Sequence, residues 1–154
     1  MKIELQKISA EGLSRRGEAA PDFIGLEEES VSFSHPVLYE LELRRAGKLV
    51  VARGVLSTRV GLTCSRCLKK FDYEVQIPDF KTQVTVEDPA GLIDLTEAVR
   101  EYIILALPYK PLCDGKCAGI CPTCGKNLNE GPCDCPEIEK ESSWDKLSEI
   151  FPEK

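Results

Sequence analysis

Cysteine carries the chemistry this sequence offers. Six of the eight cysteines in the 154-residue chain lie between Cys113 and Cys135, in a run that also holds four glycines and two prolines. Its large apolar side chains are only Ile120 and Leu128, so burial of oily surface cannot give it a shape. The glycines and prolines specify turns with neither helical nor strand period. Thiolates closing on a metal ion would supply what packing cannot. Cys121-Pro122-Thr123-Cys124-Gly125 is a C-x2-C knuckle. Two intervening residues let both sulfurs converge on one ion, and a glycine after the second cysteine can take positive φ and turn backbone N–H groups toward sulfur. Cys133 and Cys135, beyond a loop of eight residues, can complete a tetrahedron. Cys113 and Cys117 remain, as does an upstream C-x2-C pair, Cys64 and Cys67. The count allows a second four-thiolate site from these four. Count alone does not impose it, so the expectation is structural zinc at 121–135 and either one zinc or two in total.

Other cysteine chemistries fit less well. An even count suits a disulfide framework, but the opening Met1-Lys2-Ile3-Glu4-Leu5 has no apolar run after a basic start. A reducing cytoplasm is therefore expected, where disulfides are disfavoured. Cys117, Cys121 and Cys124 have the C-x3-C-x2-C spacing of radical S-adenosylmethionine enzymes, yet the chain is too short for the barrel that chemistry needs. A thioredoxin-like pair would open a helix in a βαβ unit, and neither C-x2-C pair has that setting.

The elements that must position these thiols read mainly as β. Met1, Ile3 and Leu5 alternate with polar residues as an opening strand, and residues 9–30 look like a long polar loop. A short strand at Val31 and Phe33 precedes His35-Pro36. Val37, Tyr39, Leu41 and Leu43 share one face, Ala46-Gly47 turns the chain, and residues 48–56 return. Thr58, Val60 and Leu62 lead into the Cys64 knuckle. Phe71, Tyr73, Val75 and Ile77 form one strand; Phe80, Thr82, Val84 and Val86 form another. Asp94-Leu95-Thr96-Glu97 predicts a capped helix over about residues 95–107, with Leu95, Ala98, Val99, Tyr102, Ile103 and Ala106 inward, Glu97, Arg100 and Glu101 outward, and Pro108 as its stop. The predicted fold is α+β: a mainly antiparallel sheet curling into a sandwich or small barrel, one packed helix, and a Cys-rich zinc module. The expected divisions are a β-rich domain 1–112, the zinc module 113–136, and an acidic tail 137–154. In that tail Trp144, Leu147, Ile150 and Phe151 line one side of a short amphipathic helix, which either docks on the chain or offers Trp144 to a partner.

Charge is uneven. The net charge is −6, which argues against non-specific affinity for nucleic acid, but residues 44–81 carry nine basic residues against three acidic ones. That segment reads either as a solvated sheet face or as a footprint for phosphate, with Arg59, Arg66, Lys69 and Lys70 as the RNA contacts in the second case. No stretch approaches membrane-spanning length.

Cys64-Ser65-Arg66-Cys67-Leu68, then Ile93-Asp94-Leu95 with Glu101 and Leu105-Ala106-Leu107-Pro108, then Pro111-Leu112-Cys113 and Cys121-Pro122-Thr123-Cys124-Gly125-Lys126-Asn127-Leu128-Asn129 resemble the YceD family in residue and order. That bacterial and plastid family is named for large-subunit ribosomal RNA accumulation. The resemblance runs from about residue 37 to the end and takes in Trp144 and Leu147, although the family's Asp-Pro-Arg before the tryptophan is Glu-Ser-Ser here. It implies a non-enzymatic ribosome-biogenesis factor needed for synthesis, processing or accumulation of 23S rRNA. The implied partners are large-subunit rRNA, its assembly intermediates, or a ribosomal or assembly protein, in the cytoplasm or chloroplast. The alternative is a zinc-containing adaptor that binds protein and touches no RNA. Enzymatic activity is not expected: His35 is the only histidine, no paired acids form a recognisable constellation, and all-sulfur zinc sites are closed.

Overall fold

The computed structural model describes residues 1–26, 28–86 and 91–136; Trp144 and the predicted tail helix lie outside them. Its elements are β1 (Lys2–Glu4), β2 (Leu13–Ala19), β3 (Val31–Ser32), β4 (Val37–Ala46), β5 (Leu49–Thr63), β6 (Lys70–Thr85), β7 (Leu92–Asp94) and α1 (Thr96–Leu105), with 3-10 turns at Leu5–Lys7 and Pro21–Ile24.

The β5–β6 hairpin is the spine. β6 pairs antiparallel with β5 from Leu49↔Thr85 to Thr63↔Lys70, so the Cys64 knuckle is the turn that closes it. β4 pairs with the other side of β5 and β2 lies outside β4, while β3 adds Val31↔Leu62 and Ser32↔Gly61. The result is a curled, mostly antiparallel half-barrel. Strict alternation in β4 buries Val37, Tyr39, Leu41 and Leu43 on its inner face. Leu5, Ile24, Val99 and Ile103, from the two 3-10 turns and α1, belong to the same core.

Several local readings change. Residues 13–19 of the predicted loop are an edge strand in register with β4, Leu13↔Leu43 to Ala19↔Val37. Its polarity follows from its place: Ser14, Arg15 and Arg16 are exposed, and charged side chains at an edge discourage further strand pairing. The opening strand ends at Glu4, and Leu5 is buried from the following turn. The pairs of strands expected over 48–62 and 71–86 are two continuous strands. What split the second pattern is a bulge: Gly54 pairs with Phe80 and Leu56 with Ile77, leaving Val55 opposite both Pro78 and Asp79. The extra residue moves the inward set from Val75 and Ile77 to Phe80, and a bulge accommodates the missing N–H of Pro78. Gly54 (φ 157°) meets this bend with no room for a side chain, since a Cβ there would overlap the Glu40 carbonyl oxygen.

At α1 the cap differs by one residue. Asp94 ends β7, where pairing to Lys2 of β1 keeps it extended, and Leu95 takes the capping position. The Asp94 carboxylate accepts from the Thr96 N–H (2.9 Å) and hydroxyl, and faces the Met1 ammonium at 3.0 Å. The Thr96 hydroxyl, then the Thr96 N–H and the ammonium, hold that carboxyl well below the usual carboxylate range. Glu97 pairs with Arg100 at 3.1 Å. Arg100 does not simply face solvent, because its Nε donates to the Ile24 carbonyl at 2.6 Å and ties the helix to the Pro21–Ile24 turn. On the sheet side, Tyr102 meets Phe80 edge-to-face (4.9 Å, 70°) and donates to the Lys81 carbonyl at 2.9 Å.

Candidate metal centres

Two knuckles with the same backbone geometry seat the thiols. In the first, the Cys64 N–H donates to the Lys69 carbonyl (2.9 Å) and the Leu68 N–H to the Cys64 carbonyl (3.0 Å). In the second, the Cys121 N–H donates to the Lys126 carbonyl (2.8 Å) and the Gly125 N–H to the Cys121 carbonyl (2.9 Å). Each turn needs a left-handed residue after its second cysteine: Gly125 at φ 73°, as its type leads one to expect, but Leu68 at φ 59° in the first. Leucine pays for that conformation with a steric penalty of about 1–2 kcal/mol.

The first knuckle stands on the rigid end of β5–β6. Residues 111–117 are brought to it by the Ser65 N–H donating to the Pro111 carbonyl (2.8 Å) and Arg66 donating to the Cys117 carbonyl (3.0 Å). A turn in which Lys116 N–H meets the Asp114 carboxylate at 2.7 Å then aims Cys117 inward. Cys64, Cys67, Cys113 and Cys117 thus form one cluster; Cys121, Cys124, Cys133 and Cys135 form the other, and in each all sulfurs lie within 4.8 Å of one another. The first is largely buried, with Phe71 and Leu112 packed against it. In the second, Cys121 is buried and Cys124 exposed.

These sets fit a metal ion. Four thiolates about 2.3 Å from a tetrahedral centre stand about 3.8 Å apart. In the first cluster Cys64 and Cys117 sulfurs are 3.8 Å apart and those of Cys67 and Cys113 3.6 Å. All eight cysteines are free thiols. Backbone donors prepare some of them for coordination. Burial pushes the Cys64 thiol up, but N–H groups of Cys113, Cys67 and Arg66 outweigh it and bring it down to about 6. The N–H groups of Cys124 and Thr123, with the Cys133 thiol, lower Cys121 to about 6. Their partners hold protons: Cys113 is pushed up to about 12, first by its contact with Cys67 and then by burial, and Cys135 to about 12, first by Cys124. Four adjacent negative charges do not coexist unaided, and a bound dication would supply the missing countercharge.

The cations do not form one patch. Arg66, Lys69 and Lys70 are exposed around the first knuckle, with part of the Arg66 guanidinium engaged by Cys117. Arg59 pairs across the hairpin with Glu74, and Asp72 follows opposite Gly61 before Thr63↔Lys70, so one acid faces Arg59 and another lies between it and the knuckle. Composition along the chain could not show this, because the acids return on the facing strand. Asn129, overlooked as a site residue, donates from Nδ2 to the Cys117 sulfur at 3.3 Å. Its part in a motif beside Cys121 and Cys124 was the sole signal.

Residues 52–151 match the family described as large ribosomal RNA subunit accumulation protein YceD. The chain belongs to the YceD family. It is 31% identical over 148 residues to the uncharacterised protein Rv2926c of Mycobacterium tuberculosis, covering 86% of this chain and 70% of that one. Uncharacterised ML1660 of Mycobacterium leprae is 28% identical over 142 residues, 83% of this chain and 65% of the relative, so the chain spans slightly under two thirds of that protein. A chloroplastic YCED homolog 1 of Arabidopsis thaliana, itself described as a large ribosomal RNA subunit accumulation protein, is 34% identical over 58 residues, 38% of this chain and 18% of its own. No solved structure matches. The YceD description names a role in accumulating an RNA, not a reaction, and no helix among the described residues is long and apolar enough to cross a membrane.

Proposed function

We propose that this YceD-family protein is a non-enzymatic, cytoplasmic factor needed for 23S rRNA to accumulate in the large ribosomal subunit, with two structural zinc ions. The observation that carries the reading is the sorting of all eight cysteines into two four-thiol sets. Tetrahedral all-sulfur donors suit zinc, and four protein ligands leave no position for a reacting water. The zinc centres shape a surface and perform no reaction. His35 sits in a loop where its carbonyl faces the Thr58 hydroxyl (3.4 Å), with no part in either cluster.

Contact with RNA falls to Lys69 and Lys70, with Arg66 steadying the knuckle beneath them. Depleting the protein should lower 23S relative to 16S rRNA, and wild-type protein but not Cys121→Ser/Cys124→Ser should restore the ratio. An unchanged ratio refutes the reading. Purified protein should bind 23S fragments in a salt-dependent way, and Lys69→Ala/Lys70→Ala should weaken binding severalfold with a shallower salt slope. The second reading, a protein-binding adaptor, draws on the acids that interrupt the basic segment. Its mark is a complex that survives ribonuclease and is lost on Trp144→Ala.

A further inference from the structure

The two centres touch through one side chain. Asn129 belongs to the loop that Cys121, Cys124, Cys133 and Cys135 enclose, yet its amide reaches the other cluster. Nδ2 donates to Cys117 Sγ at 3.3 Å and to Asn127 Oδ1 at 2.7 Å, while Oδ1 accepts the Ala118 N–H at 2.8 Å. Each amide atom therefore faces a group of complementary polarity. The Leu128 N–H donates to the Gly119 carbonyl at 2.9 Å, which lays the loop along residues 118–120. On the opposite side Gly119 (φ 83°) runs against Arg66, where an added Cβ would stand 3.4 Å from the Arg66 carbonyl oxygen. The segment that leaves Cys117 is thus held between the first knuckle and the second loop.

We propose that Asn129 couples the two metal centres, so that closing the second around its ion fixes a hydrogen-bond donor on a sulfur of the first. The inference rests on the metal reading above. A four-thiolate zinc centre carries about two negative charges, and an N–H aimed at sulfur relieves that charge and holds the ligand in place. Asn129 can do this only while its own loop is closed. Coupling between binding sites is reciprocal, so an ion in the first centre, by fixing Cys117 and Ala118, also steadies the loop of the second. Asn129 is a positioning residue that ligates neither ion.

The test is release of zinc from the full chain into excess chromogenic chelator, with native mass spectrometry counting ions at the start. Cys64→Ser/Cys67→Ser and Cys121→Ser/Cys124→Ser retain one centre each and give each centre's rate without the other, against the two phases of the wild type. Asn129→Asp keeps the acceptor for Ala118 but sets a carboxylate against the sulfur; Asn129→Ala removes both functions. Both variants should start with two zinc ions and lose the first centre's ion faster, about tenfold for Asn129→Asp. In Cys121→Ser/Cys124→Ser the remaining ion should leave faster than in the wild type, and adding Asn129→Asp should change nothing further. Wild-type rates in both Asn129 variants overturn the coupling, as does an equal acceleration by Asn129→Asp with and without the second centre. A wild-type protein isolated with fewer than two ions defeats the underlying metal reading instead.

Discussion

Leu68 and Gly125 hold equivalent places in two knuckles, and only one is a residue that adopts the left-handed region freely. Leu68 is 63% exposed, so its side chain recovers little by burial. Replacing it with glycine should stabilise the fold by about 1 kcal/mol, seen as a higher midpoint in denaturant, with metal content unchanged. A lower midpoint would mean that the leucine side chain supports the knuckle by contacts. Asp94 offers a second residue-scale check. Its folded-state pKa is depressed, so its contribution is complete above the ordinary carboxylate value of 3.8 and declines as pH falls below it. Asp94→Ala should cost about 1 kcal/mol at neutral pH through the lost contacts with Thr96 and the Met1 ammonium. Thermal melts of the two proteins should converge as pH falls below about 4, and a constant difference across that range would count against a stabilising role for the ionised carboxylate. Residue types alone made both C-x2-C pairs visible. They could not show that Asn129 spans two clusters, because that contact exists only once the loop has folded against residues 117–119.

Among elements, the bend in β5–β6 is the least forgiving. Gly54→Ala sets a methyl group into the Glu40 carbonyl at the point where β6 carries its extra residue. Relief requires β4 and β5 to separate, and we expect a loss of about 3 kcal/mol, measured by equilibrium unfolding. A loss under about 1 kcal/mol would show that the strands can part there. The same bulge limits what periodicity reveals. Val75 and Ile77 point inward, then Phe80 does, and a phase change looks like a strand end when only alternation is read. β2 hid for a different reason, since an edge strand with exposed Ser14, Arg15 and Arg16 has the composition of a loop. By contrast, β4 and the buried stripe Leu95, Val99 and Ile103 follow their sequence periods closely, because each has one face in the core and one in water.

At the scale of the molecule two kinds of cohesion divide the chain. The sheet and α1 share an apolar core, whereas residues 113–136 have thiol clusters and short hydrogen bonds. Stripping the metal should therefore remove hydrogen-exchange protection from 113–136 and from the knuckle at 64–69, while the paired centre of β5–β6 stays protected. Retained protection at 121–135 after complete chelation would show that the loop holds itself without an ion.

The first cluster also joins positions far apart in the chain, since Cys64 and Cys117 are 53 residues from each other. Fastening two such points restricts the unfolded chain, and by the loop-closure argument used for disulfides this amounts to about 4 kcal/mol. On the two-zinc proposal the ion is then a staple whose loss frees the linker and the turn, while α1 keeps its contacts with the sheet. If the two-zinc proposal holds, a shortage of that trace element would leave the loop at 113–136 open and the chain more exposed to proteases.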